Sequence, residues 1–171
     1  MYSPVMELKS FDTLPLDYRC NVLQGYLEAL VIANRTYLKL NPGTAPMYTY
    51  ALQYEMKVRP FGLDTWQDIP RTIEKGMGDC KDFSCWRVAE MRDMGIRDVA
   101  PYISVSQHGS MIVYHVQVRK GIQIEDPSVN LGMRNMTQSE VRGLIVGPTN
   151  GVDGVMQQQR ALRASANGSR R

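Results

Sequence analysis

A cysteine, a histidine and an aspartate occur in an order that suits nucleophilic catalysis at an acyl group. Cys80 lies in the run Gly-Asp-Cys-Lys-Asp, His115 lies in a strand-like stretch, and Asp126 ends the stretch that follows. In such chemistry the thiolate attacks a carbonyl carbon, the imidazole moves the proton, and the carboxylate orients the imidazole. These three residues are the predicted catalytic site.

The residues before Cys80 predict that it begins a helix. Residues 70–74 favour a short helical turn with proline first, and Asp79 suits the N-cap of a new helix. The helix start would lower the pKa of the Cys80 thiol from about 8.5, although Asp79 and Asp82 oppose this and an imidazolium partner would be needed. Gly78 is predicted to leave room beside the sulfur, and the Cys80 N–H could donate to an oxyanion.

The histidine and the aspartate are predicted to meet across a hairpin. Residues 111–119 and 122–126 alternate like strands, with a two-residue turn at Lys120-Gly121. That turn sets His115 directly opposite Asp126, with Cβ atoms about 4.5 to 5.5 Å apart. A carboxylate there would hold one ring nitrogen and fix the tautomer.

Each member of the trio has a structural alternative. Cys80 could be a buried small hydrophobe, His115 a half-buried strand residue, and Asp126 an ordinary Asp-Pro strand end. A metal site over Cys80, Cys85, His108 and His115 is disfavoured, because structural zinc sites have tighter Cys-x2–4-Cys or His-x3–5-His pairs. We therefore predict no metal and no cofactor, and we place His108 in an exposed hairpin loop over residues 107–110.

The region around the cysteine resembles an enzyme family. From Trp66 to Phe83 it reads WQDIPRTIEKGMGDCKDF, followed by a helix that ends near residues 94–96, the histidine strand and Asp126-Pro127. Over about residues 60–128 this order is similar to the bacterial transglutaminase-like cysteine peptidases. The resemblance implies a papain-like core that cleaves or transfers amide acyl groups of peptides or proteins through a thioester.

The same resemblance implies roles for two residues upstream of the cysteine. Trp66 and Gln67 match positions that line the oxyanion site of the family. The implied fold class is α+β, with N-terminal helices and the nucleophile helix packed on a small antiparallel sheet. The catalytic core would span residues 61–128, within a single domain over residues 1–146.

The remaining scaffold is predicted from hydrophobic spacing. Residues 16–40 carry apolar side chains at helical intervals and predict one long helix, stopped by Asn41-Pro42-Gly43. Residues 47–58 predict a second helix, although their tyrosines would also suit a strand. Together these helices form a helical lead-in over residues 1–60.

The C-terminal segment differs in composition from the rest. Residues 147–171 are rich in glycine, glutamine, serine and arginine and predict a basic, low-complexity arm. Its four arginines and one aspartate give +3, which equals the formal net charge of the whole chain. The arm could dock on a large protein assembly or, with weaker support, on nucleic acid; a solvated tail is the alternative. The arginines are Arg160, Arg163, Arg170 and Arg171.

Composition limits the setting of the protein. The chain has 171 residues, of which 43% are hydrophobic and 22% charged, as expected for one globular core. No apolar run approaches the length of a membrane span, and the first residues do not resemble a signal peptide. Three cysteines, an odd number, favour reduced thiols and synthesis in a cytoplasm.

Two functions from different classes therefore stay open. The first is a thiol-dependent amide hydrolase or acyl transferase that uses Cys80, His115 and Asp126. The second is a structural subunit of a phage particle, because small domains with this signature also occur among tailed-phage morphogenesis proteins. In that case the protein would be virion-associated, and its site would either be unused or attack cell-wall peptides.

Overall fold

The computed structural model describes residues 11–56, 65–108 and 111–134, all of which belong to one unit that ends at Arg134. The predicted boundary at residue 146 and the arm over residues 147–171 lie outside the described residues. The described part is a mixed α+β structure, which confirms the predicted fold class at that level. No helix in these ranges has the length and apolar character that a membrane span requires.

Four helices and five strands make up the described structure. In chain order they are α1 Leu16–Leu40, β1 Gln53–Tyr54, α2 Ile69–Lys75, β2 Met77–Gly78, α3 Cys80–Asp93, β3 Val99–His108, β4 Met111–Lys120, β5 Gln123–Glu125 and α4 Pro127–Asn130. Short 3₁₀ turns occupy Phe11–Thr13 and Met47–Thr49. Strands β1 and β2 pair in parallel, and β3, β4 and β5 form an antiparallel sheet in that order.

The first helix has the bounds that the sequence predicts. Helix α1 buries Leu27 and Val31 against α3, and it ends at Asn41, whose N–H bonds to carbonyls of the last turn. The regular recurrence of apolar residues determines the face of α1 that packs on the core.

The prediction of a second helix over residues 47–58 is wrong within the part that can be described. After a single 3₁₀ turn the backbone is extended, because its N–H groups pair with other segments: Gln53 N with Gly76 O, Tyr54 N with Leu131 O, and Glu55 N with Gly78 O. These long-range hydrogen bonds replace the local ones that a helix would need. Residues 57 and 58 lie outside the described ranges.

Helix α3 is the central element of the core. One cluster joins it to α1 and to β4 through Cys85, Val88, Val116 and Val118. A second cluster on its other side contains Met47, Leu52, Ile69, Phe83 and Trp86. Apolar side chains thus pack on both sides of α3, and its first residue, Cys80, packs against the first of the two clusters.

The hairpin loop predicted at residues 107–110 is shorter than expected. Strand β3 continues through Gln107 and His108, and His108 pairs with Met111 at the start of β4. His108 is therefore a strand residue rather than a turn residue. The reason is that β3 and β4 pair regularly over ten residues each, so the pairing continues through His108.

Candidate active site

Cys80 is the first residue of α3, as the sequence predicts. Asp79 is the N-cap, and its side chain accepts from Lys81 N at 3.2 Å and from Asp82 N at 3.4 Å. The Asp82 carboxylate in turn accepts from Asp79 N at 3.1 Å, which completes a capping box. The Cys80 N–H has no hydrogen-bond partner among the described residues, so it remains available as a donor.

The space at Gly78 is filled by side chains of α3. A Cβ atom at Gly78 would lie 3.1 Å from the Phe83 ring and 3.3 Å from Asp82 Cβ. The glycine is needed because α3 packs closely on β2, and the volume that its missing side chain leaves belongs to Phe83.

The predicted lowering of the thiol pKa is also reversed. Burial raises the pKa of the Cys80 thiol to about 11, and the Asp79 carboxylate adds to this increase. The backbone N–H of Val116 and the Lys81 ammonium act in the opposite direction but are weaker. Desolvation and two carboxylates therefore outweigh the favourable position at the helix start, and the thiol is protonated at neutral pH.

His115 and Asp126 meet, as predicted, but in a different register. The β4–β5 turn lies at Gly121-Ile122, so Val118 pairs with Glu125 and Arg119 with Ile124. Continuing this register puts Asp126 opposite Gln117 rather than opposite His115. The shift is by two residues, which keeps the side chain of Asp126 on the face of His115 because strand side chains alternate with a period of two.

The His115–Asp126 contact is a hydrogen bond between side chains. His115 Nε2 lies 2.7 Å from Asp126 Oδ2, and Gln117 Nε2 donates to the same oxygen at 3.2 Å. The other oxygen, Oδ1, accepts from Ser128 N and Val129 N and so caps α4. Asp126 is thus held from both sides, and it leaves His115 Nδ1 without a hydrogen-bond partner in the described structure.

Cys80 lies beside the histidine strand but is not bonded to the histidine. The Val116 N–H, one residue after His115, acts on the Cys80 sulfur. Cys80 also packs against the cluster that contains Val116 and Val118. No hydrogen bond joins Cys80 and His115 in the described structure. The structure thus brings the backbone next to His115 to the thiol and pairs the ring with Asp126.

Trp66 and Gln67, the predicted oxyanion residues, have other contacts. Gln67 is buried, and both its backbone N and its Nε2 donate to the Asp82 carboxylate at 2.9 Å. The Trp66 ring lies 5.7 Å from the Tyr26 ring, and the Lys81 ammonium lies 5.7 Å above it. Gln67 supports the capping box below Cys80, and Trp66 covers Lys81.

Tyr54 is a residue of the site that the sequence prediction missed. Its backbone pairs with Gly78, two residues before Cys80. Burial raises the pKa of its hydroxyl, and the Cys80 charge is the next largest cause, followed by Asp79. The hydroxyl has no hydrogen-bond partner among the described residues. Only the strand that replaces the predicted helix brings Tyr54 here, so no local sequence pattern could have identified it.

The ionisable and thiol side chains of the described ranges do not form the ligand sets that metal ions need. There, no group of three or more histidine, cysteine, aspartate and glutamate side chains could hold a metal ion. All three cysteines are free thiols: Cys20 and Cys80 are partly buried, and Cys85 is buried in the core. Cys85 is inert packing, since burial raises the pKa of its thiol well above the ordinary value.

Comparisons with known proteins add no family assignment. No family model, no curated protein and no solved structure matches this chain.

Proposed function

We propose that the protein is a thiol-dependent amide hydrolase or acyl transferase that uses Cys80, His115 and Asp126. The observation that carries the proposal is the 2.7 Å contact between His115 Nε2 and Asp126 Oδ2, on the strand whose next residue adjoins the Cys80 sulfur. A carboxylate that holds one ring nitrogen leaves the other as a base of defined tautomer.

The protonation state of the thiol determines how such an enzyme would work. Because the pKa of Cys80 is raised to about 11, the sulfur keeps its proton until attack. His115 Nδ1 accepts that proton as sulfur bonds to the carbonyl carbon, and Asp126 stabilises the imidazolium. The imidazolium then protonates the leaving amine, which departs and leaves a thioester on Cys80. Water or a second amine attacks the thioester and regenerates the thiol.

This mechanism requires a hydrogen bond between the His115 ring and the Cys80 sulfur, which the described structure does not contain. Catalytic hydrogen bonds are often long without substrate and tighten in the substrate complex. The oxyanion that forms would accept from the Cys80 N–H, which has no partner in the described structure, and from the Tyr54 hydroxyl.

We also propose that the core is papain-like, of the transglutaminase type. The support is the chain order of a cysteine at a helix start, a histidine on a following strand and an aspartate after the next strand. Free thiols in all three cysteines favour a reducing compartment.

Acylation of Cys80 by an activated ester tests the proposal. Mass spectrometry of peptides separates acylation at Cys80 from that at Cys20, a partly buried thiol of the same chain. We expect rapid acylation of Cys80 that falls at least about 100-fold in His115→Ala, as loss of a general base does. Acylation that is equally fast in wild type and His115→Ala would refute the proposal.

A structural role is the second candidate, and two observations favour it. The protonated thiol and the absence of a Cys80–His115 hydrogen bond in the described structure are what an unused hydrolase site would show. The protein would then be a subunit of a phage-like particle that retains the fold without the reaction. The experiment with the activated ester separates the enzyme from the structural subunit. In a structural subunit, the ester should acylate Cys80 no faster than Cys20.

A further inference from the structure

A cavity of about 380 Å³ lies away from the cysteine site and is lined by arginines from three parts of the chain. Arg35 comes from α1, Arg92 from the last turn of α3, and Arg97 from the segment before β3, with Gly95 and Ile96 completing the wall. Within the described ranges the lining contains no carboxylate. Three guanidinium groups that share one cavity repel one another unless an anion lies between them.

The three arginines differ in how far their charge is already balanced. Arg92 forms a two-fold ion pair with Glu28, at 2.6 and 3.0 Å, and its Nε donates to Val99 O at 3.0 Å. Arg35 and Arg97 have no hydrogen-bond or ion-pair partner among the described residues. The cavity therefore carries a net charge near +2 at neutral pH, because two of its three cations are unpaired.

Arg35 provides a second observation that points to an anionic ligand. Its side chain is only partly exposed, and its Nε atom is buried without a hydrogen-bond partner. Buried donors of charged groups are nearly always satisfied by protein, ordered water or a ligand. Glu28 lies two turns before Arg35 on the same face of α1, yet it pairs with Arg92, so Arg35 is left for another acceptor.

We propose that this cavity binds a phosphate monoester. A guanidinium group offers parallel donors that match two phosphate oxygens, and a phosphate monoester carries close to two negative charges at neutral pH. The volume exceeds that of phosphate alone and lies within the range of small-molecule sites, so an attached organic group can be accommodated.

Because the cavity lies at the C-terminal end of α3, anion binding there depends on the arginine side chains. Arg92 and Gly95 flank the C-terminal end of α3, and the Gly95 and Ile96 N–H groups already bond within the chain. A helix C-terminus disfavours an anion, so binding has to come from the side chains alone. Removal of one unpaired arginine should therefore weaken binding strongly.

Calorimetric titration of the full chain at constant ionic strength tests the proposal. The probes are inorganic phosphate, phenyl phosphate as a monoester and dimethyl phosphate as a diester. We expect phenyl phosphate and inorganic phosphate to bind at least about tenfold more tightly than the diester. We expect the affinity of phenyl phosphate to fall as the pH drops below about 6, where its phosphate group gains a proton. Equal affinity for monoester and diester would overturn the proposal.

Two variants and a matched control assign the binding to the cavity. Arg35→Gln and Arg97→Gln should each weaken phenyl phosphate binding at least about tenfold, because each removes a charge-assisted contact. Arg71→Gln on α2, which removes an exposed arginine that pairs with Glu74, should leave the affinity unchanged. If Arg35→Gln fails to fold, the exposed Arg97 still decides. Unchanged affinity in Arg97→Gln would refute the site.

Discussion

His115 Nε2 lies 2.7 Å from Asp126 Oδ2 although the register of the β4–β5 hairpin sets Asp126 opposite Gln117. The contact is thus diagonal across the two strands, and Gln117 Nε2 donates to the same Asp126 oxygen at 3.2 Å. Because the other oxygen of Asp126 caps α4, a single carboxylate both orients the imidazole and starts the next helix.

Asp126 should separate these two tasks by substitution. Asp126→Asn keeps an oxygen that can cap α4 but turns a donor toward His115, so we expect acylation of Cys80 to fall about 10²- to 10⁴-fold with little loss of stability. Asp126→Ala should in addition lose about 0.5–2 kcal/mol of unfolding free energy with the cap. Asp68→Ala, which removes the N-cap of α2, should reduce stability and leave acylation unchanged. Equal acylation in wild type and Asp126→Asn would contradict the assigned role.

The raised pKa of Cys80 predicts how alkylation depends on pH. With the pKa raised to about 11, the rate of reaction with iodoacetamide should rise about tenfold per pH unit between pH 7 and 10. Peptide mapping by mass spectrometry follows Cys80 alone. A rate that levels off near neutral pH would mean that a thiolate–imidazolium pair already exists in solution.

The same pKa shift affects stability in alkaline solution. The folded-state pKa is about 11 against an ordinary value of 9.0, so the folded form holds the proton more tightly. The contribution of the protonated Cys80 thiol to the free energy of unfolding is fully present below pH 9. It is lost as the pH rises toward 11. Between pH 9 and 10, wild type should lose about 1 kcal/mol more than Cys80→Ser in chemical denaturation. Parallel losses in the two proteins would show that the thiol is not desolvated.

Gln67 should act on stability more than on chemistry. Gln67→Met preserves volume but removes the 2.9 Å hydrogen bond to the buried Asp82 carboxylate, which should cost about 1.5–3 kcal/mol in the free energy of unfolding. Gln123→Met, at an exposed position, is the matched control and should change stability by less than about 0.5 kcal/mol. If Gln67→Met instead keeps full stability and slows acylation, Gln67 belongs to the oxyanion site after all.

Three glycines make different demands on the fold. Gly78→Ala should cost about 1–3 kcal/mol, because the new methyl group would meet the Phe83 ring at 3.1 Å. Gly76→Ala should cost about 1–2 kcal/mol, since Gly76 ends α2 with φ +67°. Gly25→Ala, in open space within α1, should stabilise by about 0.5–1 kcal/mol. Thermal or chemical unfolding measures all three, and a neutral Gly78→Ala would show that β2 and α3 are further apart than described.

Tyr54 is expected to contribute to acylation through its hydroxyl. Tyr54→Phe keeps the ring that packs against the Met47 and Phe83 cluster and removes only the oxygen. If the hydroxyl donates to the developing oxyanion, acylation of Cys80 should slow by about 10²- to 10³-fold at unchanged stability. Tyr102→Phe, at an exposed tyrosine on β3, is the control and should have no effect on the rate. An unaltered rate in Tyr54→Phe would exclude Tyr54 from the reaction.

The local sequence pattern was sufficient to predict several parts of this molecule. The helix over Leu16–Leu40 follows from apolar spacing and the stop at Asn41, and the start of α3 follows from Asp79 as N-cap. These features depend on interactions between residues close in the chain. The meeting of His115 with Asp126 was also predictable, since a shift of register by two residues preserves the face of each side chain.

Tertiary structure alone decided the rest. Residues 53–55 are extended because their N–H groups bond to Gly76, Leu131 and Gly78, which are distant in sequence, and only this pairing brings Tyr54 to the cysteine. The pKa of Cys80 is raised, whereas the sequence predicted that it would be lowered. Burial causes the increase, and burial depends on how α3 packs between the two clusters. Spacing along a chain specifies neighbours within a turn or a strand pair, whereas desolvation and long-range hydrogen bonds exist only once the elements are packed together.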